Sequence, residues 1–187
     1  MLEMLPIVLA LAATGMFAGV LAGLLGVGGG IVIVPVLFFL FQQFGVSPGS
    51  AMTIATATSL ATIVPTSISS IRAHYKKGNV DFLLLAQWAP FVFGGVLIGS
   101  YVITQVEGQW LTTLFGVVAT LSALNMLFRA NAQPFRDHLP GLTGQATLAG
   151  NIGLLSAMVG IGGGTLTVPA LTAFNYPTHR AVGTAAA

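Results

Sequence analysis

One glycine-rich string occurs twice in this chain, each time where a lipid-embedded helix would otherwise continue. Gly26-Val-Gly-Gly-Gly30 leads to Val34-Pro35, and Gly160-Ile-Gly-Gly-Gly164 leads to Val168-Pro169. Each copy follows a long uncharged apolar stretch, so weak helix formers and a proline fall inside a hydrophobic segment. The helix is predicted to break at both places. In hydrocarbon an irregular turn survives only where protein buries it or a wet cavity receives its polar groups. Glycines also allow positive φ and a close approach of the backbone.

The surroundings make the lipid reading firm. Charged residues are 5% of the chain and hydrophobic ones 55%, far from the roughly one-quarter charged composition of soluble domains. No Asp, Glu, Lys or Arg occurs from Met4 to Ile71, Phe82 to Val106, Gly108 to Phe128 or His138 to His179. Each of these stretches can supply the ~20 residues that a spanning helix needs. Soluble-domain and nucleic-acid-binding readings fall away. Cysteine is absent, which removes disulfides, thiolate metal sites and thiol catalysis. Glu3 stands where a signal peptide would be basic, so the first apolar segment is expected to remain in the mature protein.

These segments predict an all-α, polytopic membrane protein. Leu5 to Leu25 is the first helix, with Gly15, Gly19 and Gly23 on one face for close packing. Ile31 to Phe44 is too short to span and reads as a half-helix or re-entrant arm. Ala51 to Ile71 is rich in Ser and Thr and is interrupted by Pro65, while Phe82 to Ile103 and Trp110 to Phe128 read as spanning scaffold helices. Arg72, Lys76, Lys77, Arg129 and Arg136 place loops 72–81 and 129–141 in the cytoplasm. Gln105 to Gln109 then lies outside.

The repeat extends beyond the glycines, since Ala55-Thr-Ala-Thr58-Ser59 corresponds to Ala181-Val-Gly-Thr184-Ala185. Residues 5–129 form the first transmembrane repeat, 130–143 a connecting loop, and 144–187 the start of a second repeat. The second is much shorter than the first, so the sequence is expected to be part of a longer protein. The half-helix leaves inverted and parallel arrangements of the repeats both open.

Paired broken helices are the sequence pointer to a transporter's binding site. N-H groups that open a half-helix attract anions. Candidate substrate contacts are therefore Gly26, Gly28, Gly29 and Gly30, then Gly160, Gly162, Gly163 and Gly164, with Pro35 and Pro169 as first-turn prolines that start each half-helix. Thr58, Ser59 and Thr184 join them through the repeat correspondence. Arg180 offers a fixed positive charge, or else snorkels to headgroups. His179 beside it is a weaker candidate, and His74 and Asp81 read as structural. No cofactor or metal is called for. The glycines have a plainer reading as packing residues, and a dinucleotide fingerprint fails because position 31 is Ile31.

The strings Gly23-Leu-Leu-Gly-Val-Gly-Gly-Gly-Ile-Val-Ile-Val-Pro35, His74-Tyr-Lys-Lys-Gly-Asn-Val-Asp81, Gly160-Ile-Gly-Gly-Gly-Thr-Leu-Thr-Val-Pro169 and Arg180-Ala-Val-Gly-Thr184 together resemble the TauE/SafE family of sulfite and organosulfur anion exporters. The resemblance implies a permease of two related halves in the plasma membrane, moving sulfite, organosulfonates or related acids, with the bilayer and a small anion as its partners. Ala185 departs from the pattern where the first repeat has Ser59. An anion channel is the nearest alternative. An intramembrane enzyme needs a nucleophile with a base or paired carboxylates, whereas Glu3, Asp81, Glu107 and Asp137 all lie at predicted span ends.

Overall fold

A computed structural model of the chain describes residues 12, 15–17, 19–20, 29–129 and 135–187, and the described residues form helices and turns with no strand. Seven helices are delimited among them: α1 (Gly30–Gln43), α2 (Pro48–Lys76), α3 (Phe82–Gln105), α4 (Gly108–Arg129), α5 (Leu142–Val159), α6 (Gly164–Thr172) and α7 (Thr178–Ala185). By length and composition α2 and α3 can each cross a bilayer. Large apolar side chains cover the outside, including Phe39, Phe93, Leu97, Leu121 and Leu127. A water-facing surface does not carry so many.

Local chemistry explains the boundaries. Pro48 occupies the first turn of α2, where its missing N-H costs nothing. Asp81 caps α3, its Oδ1 accepting from Leu83 N-H and Leu84 N-H at 3.1 Å. The interruption expected at Pro65 does not occur, and α2 runs straight through it. Hydroxyls on either side supply partners to nearby carbonyls: Thr62 donates to Ser59, Thr66 to Thr62 and Ile63, and Ser67 to Val64. Such bonds let a lipid-embedded helix tolerate proline.

Two small-residue contacts hold the bundle. Along the α3–α5 interface a methyl built on Gly95 would overlap the Gly150 carbonyl, and one on Gly153 would overlap that of Val92. A methyl on Gly99 would lie 2.6 Å from the Leu154 carbonyl. Only glycine permits this approach, which gains dispersion contact where lipid offers no hydrophobic driving force. The second contact sets Gly49, at the start of α2, against Gly108, at the start of α4.

Near the middle of α4, Val118 packs with Val159 and Ile161, and Ile31 closes on the same cluster. The start of α1 therefore meets the end of α5 at half the height of α4. From that junction α1 leads to the Gly49–Gly108 contact. The other short helix, α6, ends at Ala173, whose carbonyl accepts from Phe135 N-H at 2.8 Å in the connection after α4. Hence α1 and α6 leave one junction toward opposite ends of α4.

Candidate functional site

At the second glycine string the helix does stop. Val159 ends α5, Gly160 adopts φ 71° and ψ 19°, and α6 begins at Gly164. The left-handed turn needs glycine, because a Cβ there would be strained and would lie 2.9 Å from Thr56 Cα. Positive φ was the expected use of these glycines generally, and here the structure differs. Gly29 has φ −62° and Gly163 has φ −51°, both ordinary helical values. Gly26 and Gly28 lie outside the described residues.

The prolines also differ from expectation. Pro35 and Pro169 sit inside α1 and α6, each the sixth residue of its helix. They are not first-turn prolines. Each lacks the N-H that would return to the carbonyl four residues earlier, so the helix is weakened immediately after the glycines rather than initiated by the proline.

The two glycine strings touch. A methyl on Gly30 would overlap the Gly160 carbonyl and lie 2.8 Å from Ile161 Cα. Ser59 Oγ, fully buried on α2, donates to that same Gly160 carbonyl at 2.8 Å. One turn earlier Thr56 lies against Gly160. Three elements thus converge on the left-handed turn. Gly30 and Gly160 are contact residues, whereas Gly29, Gly162, Gly163 and Gly164 line a cavity of about 400 Å³.

That cavity lies between the glycines and a polar stripe on α2 formed by Thr62, Thr66, Ser67, Ser70 and His74. A second cavity, of about 370 Å³, lies across Gly162, Gly163, Ile63 and Ala185, which line both. Its other walls are chiefly apolar, with Trp88, Leu84 and Leu171 among them, and Ser156, Thr167 and Thr184 are its hydroxyl residues.

Arg180 and Thr184 lie together with a carboxylate that the sequence reading took as structural. Asp81 Oδ2 accepts from Tyr176 OH at 2.5 Å and pairs with Arg180 Nη2 at 3.1 Å, while Asp81 N-H donates to Thr184 Oγ1 at 3.0 Å. Gly183 packs flush on the Asn79 carbonyl. The Tyr176 hydroxyl does most to hold the Asp81 carboxyl below the usual range, opposed by burial and helped by the Leu84 amide, the Arg180 charge and the Leu83 amide. Burial first, and then the Asp81 bond and charge, push Tyr176 up to about 12. Arg180 is half exposed and lines neither cavity, and Thr58 is likewise absent from both walls. From sequence Tyr176, Ser67 and Ser70 carry no singled-out role, Thr62 and Thr66 read only as part of a hydroxyl-rich segment, and His74 reads as structural. The stripe had a signal, since residues 62, 66, 70 and 74 recur every four positions on one helix.

The family described as Sulfite exporter TauE/SafE matches residues 11–187, nearly the whole sequence. The chain belongs to the TauE/SafE family. Among its TauE/SafE relatives, a probable membrane transporter protein of Haemophilus influenzae is 34% identical over 174 residues, covering 92% of this chain and 65% of the relative. A probable membrane transporter protein of Methanocaldococcus jannaschii is 31% identical over 187 residues, covering 96% and 67%. The probable membrane transporter protein YunE of Bacillus subtilis is 32% identical over 196 residues, covering 93% and 71%. This chain therefore spans about two thirds of the length of these curated relatives, which are named as transporters and not as enzymes. No solved structure matches it.

Proposed function

We propose that the protein is a plasma-membrane permease that exports small anions, such as sulfite, an organosulfonate or a related organic acid. One observation carries the reading: both glycine strings meet at mid-height of the bundle, beside a cavity that Gly29 and Gly162 to Gly164 line. The N-H groups of Val32, Thr165 and Leu166 in the first turns of α1 and α6 bond to the Gly29, Gly162 and Gly163 carbonyls, and the helix dipoles add positive potential at the junction. An anion at the junction would draw on both ends. Arg180 contributes less than its charge suggests, because Asp81 neutralises it. Binding in this reading rests on the glycine backbone, with Ser59 and Thr184 fixing the helices around it.

The opposite courses of α1 and α6 support an inverted pair of repeats, with α5 and α6 forming a re-entrant hairpin. Loops 72–81 and 129–141 are taken as cytoplasmic, and the 106–109 turn as external. Single cysteines introduced at Lys76 and Gln109 test this in a naturally cysteine-free chain. External impermeant maleimide should label position 109 and spare 76, and the reverse pattern would refute the orientation.

Export needs no elaborate coupling in this scheme, since an anion leaving a negative interior gains ~2.3 kcal/mol per 100 mV. The test is flux of sulfite and organosulfonates from proteoliposomes with and without an imposed potential. Saturable, potential-assisted efflux is expected. Large ohmic currents would indicate a channel, and absence of flux for every anion tried would sink the reading.

A further inference from the structure

Hydrogen-bond directions on the α2 stripe separate its members. Thr62, Thr66 and Ser67 already donate their hydroxyl protons to carbonyls of their own helix, at 2.7 to 3.0 Å. Toward the cavity they offer lone pairs, which an anion does not want. His74 differs. Among the described residues lining this cavity it alone is ionisable, and its Nδ1 is buried with no hydrogen-bond partner. A buried nitrogen left in that state is unfavourable, so the pocket calls for a partner at this position. The Ser70 hydroxyl, one turn earlier, likewise makes no hydrogen bond to another described residue, and Ser70 lines the same cavity. It completes a donor pair at the end of the stripe.

We propose that His74 is a substrate-binding residue, donating a hydrogen bond to the anion at the mouth of the cavity nearest loop 72–81. This rests on the anion-transport reading and adds the side chain that receives the substrate first. At ~1.5 Å per residue His74 lies roughly 18 Å along α2 from Thr62, so it serves a separate station from the glycines, at the end of the cavity nearest loop 72–81. The other charged groups in this region lie apart from it. Arg72, Lys76 and Lys77 flank it on its own helix and loop and are absent from the cavity wall. Across from α2, Asp81, Tyr176 and Arg180 are bonded to one another.

Two measurements test the site. Carbethoxylation of the unmodified protein, mapped by mass spectrometry, should modify His74, and saturating sulfoacetate, methanesulfonate or acetate should protect it while His138 and His179 react unchanged. In vesicles His74→Ala should raise the KM for a transported anion about tenfold, as expected for loss of one hydrogen bond to a charged group, with kcat little altered. His74→Gln, which retains an N-H donor, should recover part of that loss. An unreactive His74, protection by none of the three anions, or unchanged KM in His74→Ala overturns the proposal. Saturable flux accompanying any of these would leave the transport reading intact. Should His74→Ala fail to insert, the labelling of the unmodified protein still decides.

Discussion

The same glycine string begins two short helices, both packed into the bundle, and the second arm is also tied by a charged node. α1 is held by packing: Val34 is buried in one cluster with Met52 and Ala55 of α2 and Leu111 of α4, and Leu37, Phe38 and Phe41 close over it. α6, at nine residues, packs as well: Leu171 is fully buried, and with Ala181 of α7 it joins Leu84 and Trp88 of α3 and Ala149 and Ile152 of α5. The turn after it and α7 are tied in addition to Asp81 through Tyr176, Arg180 and Thr184. Packing of many atoms is hard to undo in steps, whereas a polar node can be removed with one carboxylate. The difference makes the α6–α7 arm the side of the junction that a single change can release.

The largest effect should come from the junction both arms share. Gly30→Leu would drive a side chain into the Gly160 carbonyl and Ile161 backbone, an overpacking that costs about 3 kcal/mol or more. Loss of folded, monodisperse protein in detergent is expected. By contrast, a methyl on Gly163 would have the Ala185 carbonyl at 3.7 Å and Thr167 Oγ1 at 3.8 Å as its nearest neighbours. Gly163→Ala should fold normally and Gly163→Leu should fold yet stop flux by filling the cavity. Equal tolerance of leucine at positions 30 and 163 would remove the distinction between junction and cavity glycines.

Cutting the polar node comes next. Asp81→Ala removes the α3 cap and the acceptor of Tyr176, a loss of about 2–3 kcal/mol. The half-exposed Arg180 pair adds less than ~1 kcal/mol. Ser59→Ala, on the packed side, removes one buried hydrogen bond to Gly160 and should cost about 1 kcal/mol. Thermal unfolding in one detergent ranks the two. If Ser59→Ala proves the more damaging, the polar node is not what holds the α6–α7 arm. Hydrogen exchange adds resolution: Asp81→Ala should speed exchange in α7 more than in α1.

Helix class and most segment limits were legible because lipid imposes a simple code of uncharged runs and basic loops. The doubled glycines marked the junction for the same reason, as irregular backbone is costly there. What stayed hidden depends on contacts between segments. Nothing in the spacing of Gly95 and Gly99 names Gly150, Gly153 and Leu154 as their partners, and α3 read only as scaffold. Pro35 and Pro169 looked like helix starts because sequence shows a proline after glycines but not where the first helical turn closes. Asp81 looked like a loop residue. Its partners, Tyr176 and Arg180, are almost a hundred residues away along the chain, and only the turn after α6 returns them to it.

The smallest expected effect sharpens how the polar node works. Asp81 has its pKa lowered, so its contribution is present above the ordinary carboxylate range and is lost as pH falls through the lowered value. Tyr176 has its pKa raised to about 12, so its contribution is complete below the ordinary tyrosine value near ~10 and is lost as pH rises toward 12. Between those limits neither group changes charge, and the node should hold the α6–α7 arm with constant strength from about pH 5 to 9. Ultraviolet titration can follow this, because Tyr75, Tyr101 and Tyr176 are the only tyrosines. Tyr176→Phe should remove from the curve the phenol that ionises at about 12. Asp81→Asn should shift that phenol toward the ordinary value, since burial remains while the carboxylate's bond and charge are gone. A curve unchanged by Asp81→Asn would mean that burial alone sets the Tyr176 value, and the 2.5 Å contact would then have little part in holding the arm.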